Sequence, residues 1–465
     1  MTARADDELV TDLWLEGLEA VKADPLWREP RSLQNHRTLL SRLYEVLLEL
    51  PSIRAQDFER ILETDLAAAT ATAKARLDKF GPGRIPPAKD RLHDAAVLLR
   101  ALDALIHEDE GRWSNAPDSW LTLDGRFYVI PVRRAVVKEG GPRSGQFFSR
   151  RGLLHNRVIP RHVEGVRIEV DLHPDMSLKA RADGRRTFGA ALFTDFALVT
   201  EHPTQTSFVA TSSGCRNGME AEIGDHCDRA RQGACDTVVW PELTMAPDSV
   251  THLARNLLHL PLDTKLPPVV VAGSWHIQVG GSWKNLATVL DGRGQKILTF
   301  GKNQKFTLRT EEGAAAYREE IDPHGAIHIL ATEDELIAFA ICKDFCDLSD
   351  GKLPVVSKLD VDLVLVPSMG REDTILAHRD LANHMKVAHG TRVVVAQQAY
   401  PHKAGGASKA AASDTPERGV RYATGYVLKA PHDPKALELE DLAERSNFTT
   451  FQRSEASRKS SPAKS

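Results

Sequence analysis

The sequence predicts an α/β layered domain preceded by a mostly helical N-terminal domain and a short β-rich segment, on the strength of three observations. Apolar residues recur at helical spacing over residues 1–110, alternate at strand spacing over 111–185, and beyond 186 gather into short apolar runs separated by amphipathic stretches. A chain of 465 residues also exceeds the roughly 100–200 residues that one core usually holds, so more than one domain is expected.

In the first region Leu9, Leu13, Leu18 and Val21, then Leu39, Leu43, Leu47 and Leu50, then Leu92, Ala95, Ala96, Leu99, Leu102 and Ile106 each line one helical face. Pro25, Pro51 and the Gly81-Pro82 to Pro87 stretch break the pattern, because proline lacks an amide donor and these are turn formers. Four or five helices result. Between 111 and 185, Trp120 to Leu123, an Asp124-Gly125 turn and Phe127 to Ile130 read as a hairpin. Val166, Ile168, Val170 and Leu172 alternate with polar residues, and GGPRSGQFFSRRG lies between as a loop.

From 186 to 445 the runs FGAALF, TVVW, VVVAGSW, LIAFAIC, VDLVLVP and TRVVVAQQA alternate with helical stretches such as Met219 to Ala230 and LARNLLHL. Strands joined by crossover helices make sheets covered by helices. The last residues, 446–465, are Ser-rich and basic and are expected to be disordered.

Composition excludes several function classes. Apolar residues at 42% and charged residues at 27% are those of a folded globular protein. A net charge of −4 leaves no basic excess for phosphate, so nucleic acid is not an expected partner. No run reaches the roughly 20 apolar residues that span a bilayer, and the start MTARADDELV lacks the apolar core of an export signal, so no membrane and a cytoplasmic location are expected. Five scattered cysteines are expected to be thiols; no metal-ligand spacing accompanies Cys342 and Cys346.

Three apolar strands finish on chemically useful residues. TVVWPEL delivers Glu242, a partly desolvated carboxylate suited to proton transfer. KILTFGKNQKFTL carries Lys302 and Lys305, either of which could stabilise an oxyanion and a thiolate. ELIAFAICKDFCD ends on Cys342 at a strand-to-turn elbow, with Cys346 competing for the role.

The order of these motifs is informative. DRARQGACDTVVWPEL resembles the stretch of nitrilase-superfamily enzymes that carries their glutamate; VVVAGSWHIQVGGSWKNLATVLDGRGQKILTFGKNQKFTL, with Asn285 and its DG turn, is similar to the stretch carrying their lysine; AICKDF resembles their cysteine elbow, and VDLVLVPSMG the strand after it. The resemblance spans about 186–440 and implies a four-layer αββα sandwich. It implies Glu242 as general base, Lys305 as oxyanion stabiliser, preferred to Lys302 because Leu308 follows it at the family's spacing, and Cys342 as nucleophile, with the Lys343 amide as a further oxyanion donor. The activity implied is hydrolysis of a carbon–nitrogen bond in a small amide, carbamoyl or nitrile through a thioester, with no metal or organic cofactor, in a homo-oligomer.

The family's second glutamate has four candidates, Glu311, Glu312, Glu319 and Glu320, of which Glu312 is favoured; Asp344 matches the elbow aspartate, as a supporting residue or only as a holder of the turn. Phe306-Thr307 replaces a common His before the Leu, and Cys346-Asp347 a common Arg-Phe, which leaves the substrate undetermined. An alternative reading is a catalytically inactive sensing or assembly module, its helical domain binding a protein partner. The enzymatic reading requires the carboxylate, the ammonium and the sulfur to converge on a space open to a small molecule.

Overall fold

The computed structural model describes residues 13–29, 32–59, 61, 63–80, 90–109, 117–131, 153–173, 176, 186–259, 267–309, 316–332, 335–346, 352–389, 391–399, 422–426 and 448–453. Glu311, Glu312 and the whole GGPRSGQFFSRRG loop lie outside them. The chain divides into two compact units, the first Met1–Val163 with Leu172–Asp175 and Glu333–Glu335, the second Glu164–Asp171, Met176–Thr332 and Leu336–Ser465. Of the described residues in the 111–185 segment, 117–163 fall in the first unit and 164–171 in the second.

In the first unit five helices are described, α1 (13–22), α2 (Leu33–Leu48), α3 (Ser52–Glu59), α4 (Glu63–Phe80) and α5 (Arg91–Asp109). Ser32 caps α2 by accepting the Asn35 amide at 3.1 Å, the usual answer to unpaired first-turn donors. Leu18, Leu39, Leu43, Leu47, Leu99 and Leu102 meet in one core. Strands β1 (Phe127–Pro131) and β2 (Asn156–Pro160) pair antiparallel. The expected hairpin is therefore corrected in its partner: the turn forms, with Gly125 at φ +66, but 117–120 is a short 3₁₀ turn and only Leu121 bridges Tyr128. The Asp103 carboxylate on α5 accepts the amides of Leu154, His155 and Asn156 at 2.8–3.0 Å, which satisfies buried donors ahead of β2. The two-residue β3 (His162–Val163) follows.

The second unit contains most of β4 (Val166–His173), with β5 (Arg186–Ala191), β6 (Ala197–Glu201), β7 (Ser207–Gly214), α6 (Met219–Gln232), β8 (Thr237–Val239), α7 (Pro247–Leu258), β9 (Val269–Val279), β10 (Ser282–Leu290) and β11 (Lys296–Gly301). It continues with β12 (Thr307–Arg309), β13 (Ala316–Glu319), β14 (Ala326–Thr332), β15 (Leu336–Phe339), β16 (Leu363–Gly370), α8 (Glu372–His389), β17 (Arg392–Ala399), β18 (Tyr422–Tyr426) and β19 (Phe448–Arg453). One sheet has the order β11-β10-β9-β8-β5-β19, a second includes β18-β17-β16-β15-β14-β4, and a smaller third has the order β12-β13-β7-β6.

Strand periodicity explains the layers, since successive side chains point to opposite faces. Val239, Val269 and Val271 face Ile337, Phe339, Leu363 and Leu365 of the second sheet. Val238 and Val270, one residue out of phase, pack instead with Ile223 of α6 and Leu253 of α7. Both faces are buried, so the strands read as continuous apolar runs. With α8 against β16 and β17, the arrangement is helix, sheet, sheet, helix.

One expectation is overturned at the C-terminal end. Residues 448–453, assigned to a disordered tail, form β19 and pair antiparallel with β5, from Phe448 opposite Ala191 to Arg453 opposite Arg186. Phe448 is buried among Ile223, Cys227 and Trp240, a packing anchor that the surrounding Ser-rich composition obscured.

Candidate functional site

The site lies where β8, β11, β15 and β16 end. Beyond β8, Trp240 still bonds across to Val271 O at 2.9 Å, and the next turn directs Glu242, whose amide donates to Ser368 O at 3.3 Å. Leu243 takes φ +53, and its amide reaches Ser274 Oγ at 3.3 Å. Gly273, at φ +56, is the one residue this turn tolerates behind it, because a Cβ there would stand 2.5 Å from Pro241 O. The Gly-Ser pair thus holds the glutamate turn from within β9.

Lys302 follows β11 directly and continues its ladder by donating its amide to Asn285 O at 2.9 Å. Its Nζ lies 2.7 Å from Glu242 Oε1 and 2.7 Å from Glu319 Oε2. Asn285 on β10 donates from Nδ2 to Glu242 Oε1 at 3.0 Å and to Glu319 Oε1 at 2.9 Å. His276 completes the ring: the Ala210 amide donates to its Nδ1 at 2.7 Å, so its Nε2 carries the hydrogen that meets Glu319 Oε1 at 2.8 Å.

Cys342 opens a 3₁₀ turn, Cys342–Phe345, after β15. Its φ of +44 places a non-glycine residue in the left-handed region, a strain that is usually retained only where the surroundings enforce it. Its Sγ contacts Met369 O at 3.4 Å. Asp344 ties this elbow to the lysine segment by accepting the Asn303 amide at 2.9 Å and the Gln304 amide at 2.8 Å.

The structure therefore brings together Glu242, Cys342 and Asp344 of the expected residues, but the ammonium among them is Lys302. Lys305 is corrected: it sits three residues on, half-buried in the turn before β12, and forms none of these contacts. Of the four candidate glutamates, Glu319 at the end of β13 meets Lys302 and Asn285, and the favoured Glu312 lies outside the described residues. Lys343 is half-buried beside the elbow. His276 and Ser368 were not anticipated.

The electrostatics follow from burial. Glu242, Lys302 and Cys342 are each 2% exposed. Burial alone would push the Lys302 ammonium down, but Glu242 and Glu319 hold it well above the usual lysine range. Burial likewise opposes ionisation of Glu319, and Lys302 and His276 overcome it, holding that carboxyl below its usual range. Burial pushes the Cys342 thiol up, Glu242 adds to this and Lys302 opposes it, so the resting sulfur is protonated. Two carboxylates, one ammonium and a neutral thiol is a set with an internal proton acceptor.

Behind this set, Ser368 Oγ stands 2.9 Å from Nε2 of His378, which lies on α8. Burial pulls His378 down to about 3 and, with backbone amides opposing, pushes Asp344 up to about 7. The signs differ. A lowered His loses stability as pH falls from about 6.5 towards 3, whereas a raised Asp loses it as pH rises from about 4 towards 7. A His378→Gln variant should therefore show a shallower acid limb than wild type, by up to about 1 kcal/mol per pH unit between pH 6 and 4, when urea unfolding is followed against pH.

Among the described residues, no helix is long and apolar enough to cross a membrane. No protein-family model matches the chain and no curated protein matches it. Solved structures that resemble it include an amidase from Nesterenkonia sp., 15% identical, over 58% of this chain and 90% of that chain at a TM-score of 0.37. A variant of an amidase from Nesterenkonia sp. AN1, with the acetamide moiety of fluoroacetamide added covalently at its active-site cysteine, is 14% identical over 58% and 91% of the two chains at 0.37. The C. elegans NitFhit protein is 16% identical over 59% and 61% at 0.37.

Proposed function

We propose that the second unit is a thiol hydrolase of carbon–nitrogen bonds, acting on a small amide, carbamoyl compound or nitrile. The observation that supports this best is the Lys302 ammonium held 2.7 Å from each of Glu242 and Glu319 beside a thiol on a strained elbow. A packed interior has no need of a buried ion triad, which is costly to desolvate, whereas acyl transfer uses each member.

In the first step Cys342 Sγ bonds to the substrate carbon as its proton passes to Glu242. Two Lys302 hydrogens engage carboxylates, and the third serves the developing oxyanion together with the Lys343 amide. In an amide or carbamoyl substrate the carbon–nitrogen bond then breaks, and the leaving amine takes the proton from Glu242. A nitrile gives a thioimidate, which must first add one water at that carbon before ammonia leaves. A water gives a proton to Glu242 as its oxygen attacks the thioester, and the acid departs as the thiol recovers its hydrogen. Glu319, itself held by His276, keeps Lys302 charged throughout. Asp344 acts at a distance by holding the elbow.

One observation favours a second reading, the inactive sensing module: the thiol is 2% exposed and packs with Ile341, Phe339 and Leu365. Hydrolysis requires substrate to reach that sulfur. Ammonia release from amides, ureido acids and nitriles, combined with intact-mass detection of an acyl adduct mapped to Cys342, separates the two. Turnover with the adduct on Cys342 is expected; silence across all three classes, with no adduct, establishes the inactive module.

A further inference from the structure

We propose that Ser368 donates a hydrogen bond to the Cys342 thiolate, and that His378 is a positioning residue that keeps the serine hydrogen free for it. This rests on Cys342 serving as the nucleophile.

Hydrogen accounting carries the proposal. Ser368 Oγ meets three partners: His378 Nε2 at 2.9 Å, Gln397 Oε1 at 3.2 Å and the Cys342 side chain. The orientation of Gln397 is fixed, because its Nε2 donates to Arg371 O at 2.9 Å, so only its oxygen can face the serine. Among the described residues, the buried His378 Nδ1 has no hydrogen-bond partner. A hydrogen on Nδ1 would leave an orphaned buried N–H, the rarest kind of unsatisfied group, and would oblige Ser368 to spend its single hydrogen on Nε2. With the hydrogen on Nε2, the imidazole donates to Ser368 Oγ, and the serine hydrogen is available to either Gln397 Oε1 or the sulfur.

Ionisation of the thiol decides between those two. In the resting state the Cys342 S–H faces Met369 O at 3.4 Å, and the serine hydrogen belongs to Gln397. Once the proton has gone to Glu242, the sulfur is an anion facing a carbonyl oxygen, a repulsive contact, and a donor must turn towards it. Ser368 is that donor. No proton leaves the serine or the imidazole; one hydrogen bond is exchanged for a stronger, charge-assisted one.

The surroundings suit a neutral relay. His378 packs 5.8 Å, centre to centre, from the Phe345 ring of the elbow, and burial alone governs its protonation, with no charged group opposing it. The groups facing Cys342 are Glu242 and Lys302 from the opposite sheet and Cys346 from its own turn. The Ser368 carbonyl also accepts the Glu242 amide at 3.3 Å, so one residue holds the base and serves the nucleophile.

The test reads the thiol without substrate, through the pH dependence of thiolate absorbance as a difference against Cys342→Ala, and through the rate of Cys342 alkylation by iodoacetamide mapped by mass. Ser368→Ala should raise the titration midpoint by about one pH unit and slow alkylation about tenfold, the size of one hydrogen bond to a charged group. Ser368→Thr should restore both. His378→Leu should shift the midpoint in the same direction, His378→Gln, which keeps an N–H towards the serine, should shift it less, and Ser368→Ala with His378→Leu should be no worse than Ser368→Ala alone. An unchanged midpoint in Ser368→Ala, or additive effects in the double variant, overturns the proposal. Because no hydrolysis is measured, a shifted midpoint in a protein that releases no ammonia would remove the hydrolase reading and leave the Ser368 and His378 roles in place.

Discussion

A Lys302→Met variant should lose about 3–5 kcal/mol of stability, the usual result of removing one partner from a buried ion pair, and should release no detectable ammonia from any substrate the wild type accepts. Lys305→Met should change stability by no more than about 0.5 kcal/mol and should keep turnover. The asymmetry follows from what each lysine leaves behind. Lys302 neutralises two carboxylates whose side chains are 3% and 0% exposed; without it, two negative charges share a cavity with no cation and cannot both stay ionised. Methionine matches the length of the stem, so the loss is of charge and hydrogen bonds and not of volume.

The pH dependence of that loss has a definite sign. In wild type the lowered Glu319 contributes stability above the usual glutamate range and loses it as pH falls, and the raised Lys302 contributes below its own raised value and loses it only as pH climbs past the usual lysine range. These two groups together contribute a plateau across neutral pH. In Lys302→Met the uncompensated carboxylates bind a proton more readily folded than unfolded, so stability recovers as pH falls, and the difference from wild type narrows towards pH 5. Urea unfolding at pH 8 and pH 5 reads both effects. Should Lys305→Met be the unstable, inactive variant instead, the buried triad is not the functional centre.

The sequence made the layers legible because both faces of each sheet are covered: the runs TVVW, LIAFAIC and VDLVLVP are apolar without interruption, which only buried strands flanked by helices require. It made Glu242 and Cys342 legible for a related reason, since each stands at the abrupt end of such a run. Lys302 obeys the same rule, following ILTFG directly, and Lys305 does not; counting back from Leu308 favoured Lys305, where the strand end points to the lysine that meets Glu242 and Glu319. Glu319 was one of four candidates because the sequence does not show how far β13 carries the chain back towards β7, and that register alone buries one glutamate and leaves its neighbour Glu320 half-buried. His276 and Ser368 act across sheet neighbours and between sheets. Nothing in their local sequence separates them from residues that merely pack.

Replacing Cys342 by Ala should reduce turnover by about 10⁴-fold or more, as when the nucleophile of a concerted catalytic set is removed, while Cys346→Ala should stay within about tenfold of wild type. Both are thiols on one turn, but they differ in backbone and in neighbours. Cys342 holds the strained φ of +44 and feels both Glu242 and Lys302; Cys346 comes after the turn, its amide bonded to Lys343 O at 3.2 Å. The strain supplies an independent reading of the same assignment. Alanine retains the left-handed penalty and glycine does not, so Cys342→Gly should be more stable than Cys342→Ala by about 1 kcal/mol, with both equally inactive. Equal stability of the two variants would mean that the elbow relaxes once the sulfur is gone, and that the sulfur's own contacts, rather than the packing of Phe345 and the Asp344 hydrogen bonds, hold Cys342 in that conformation.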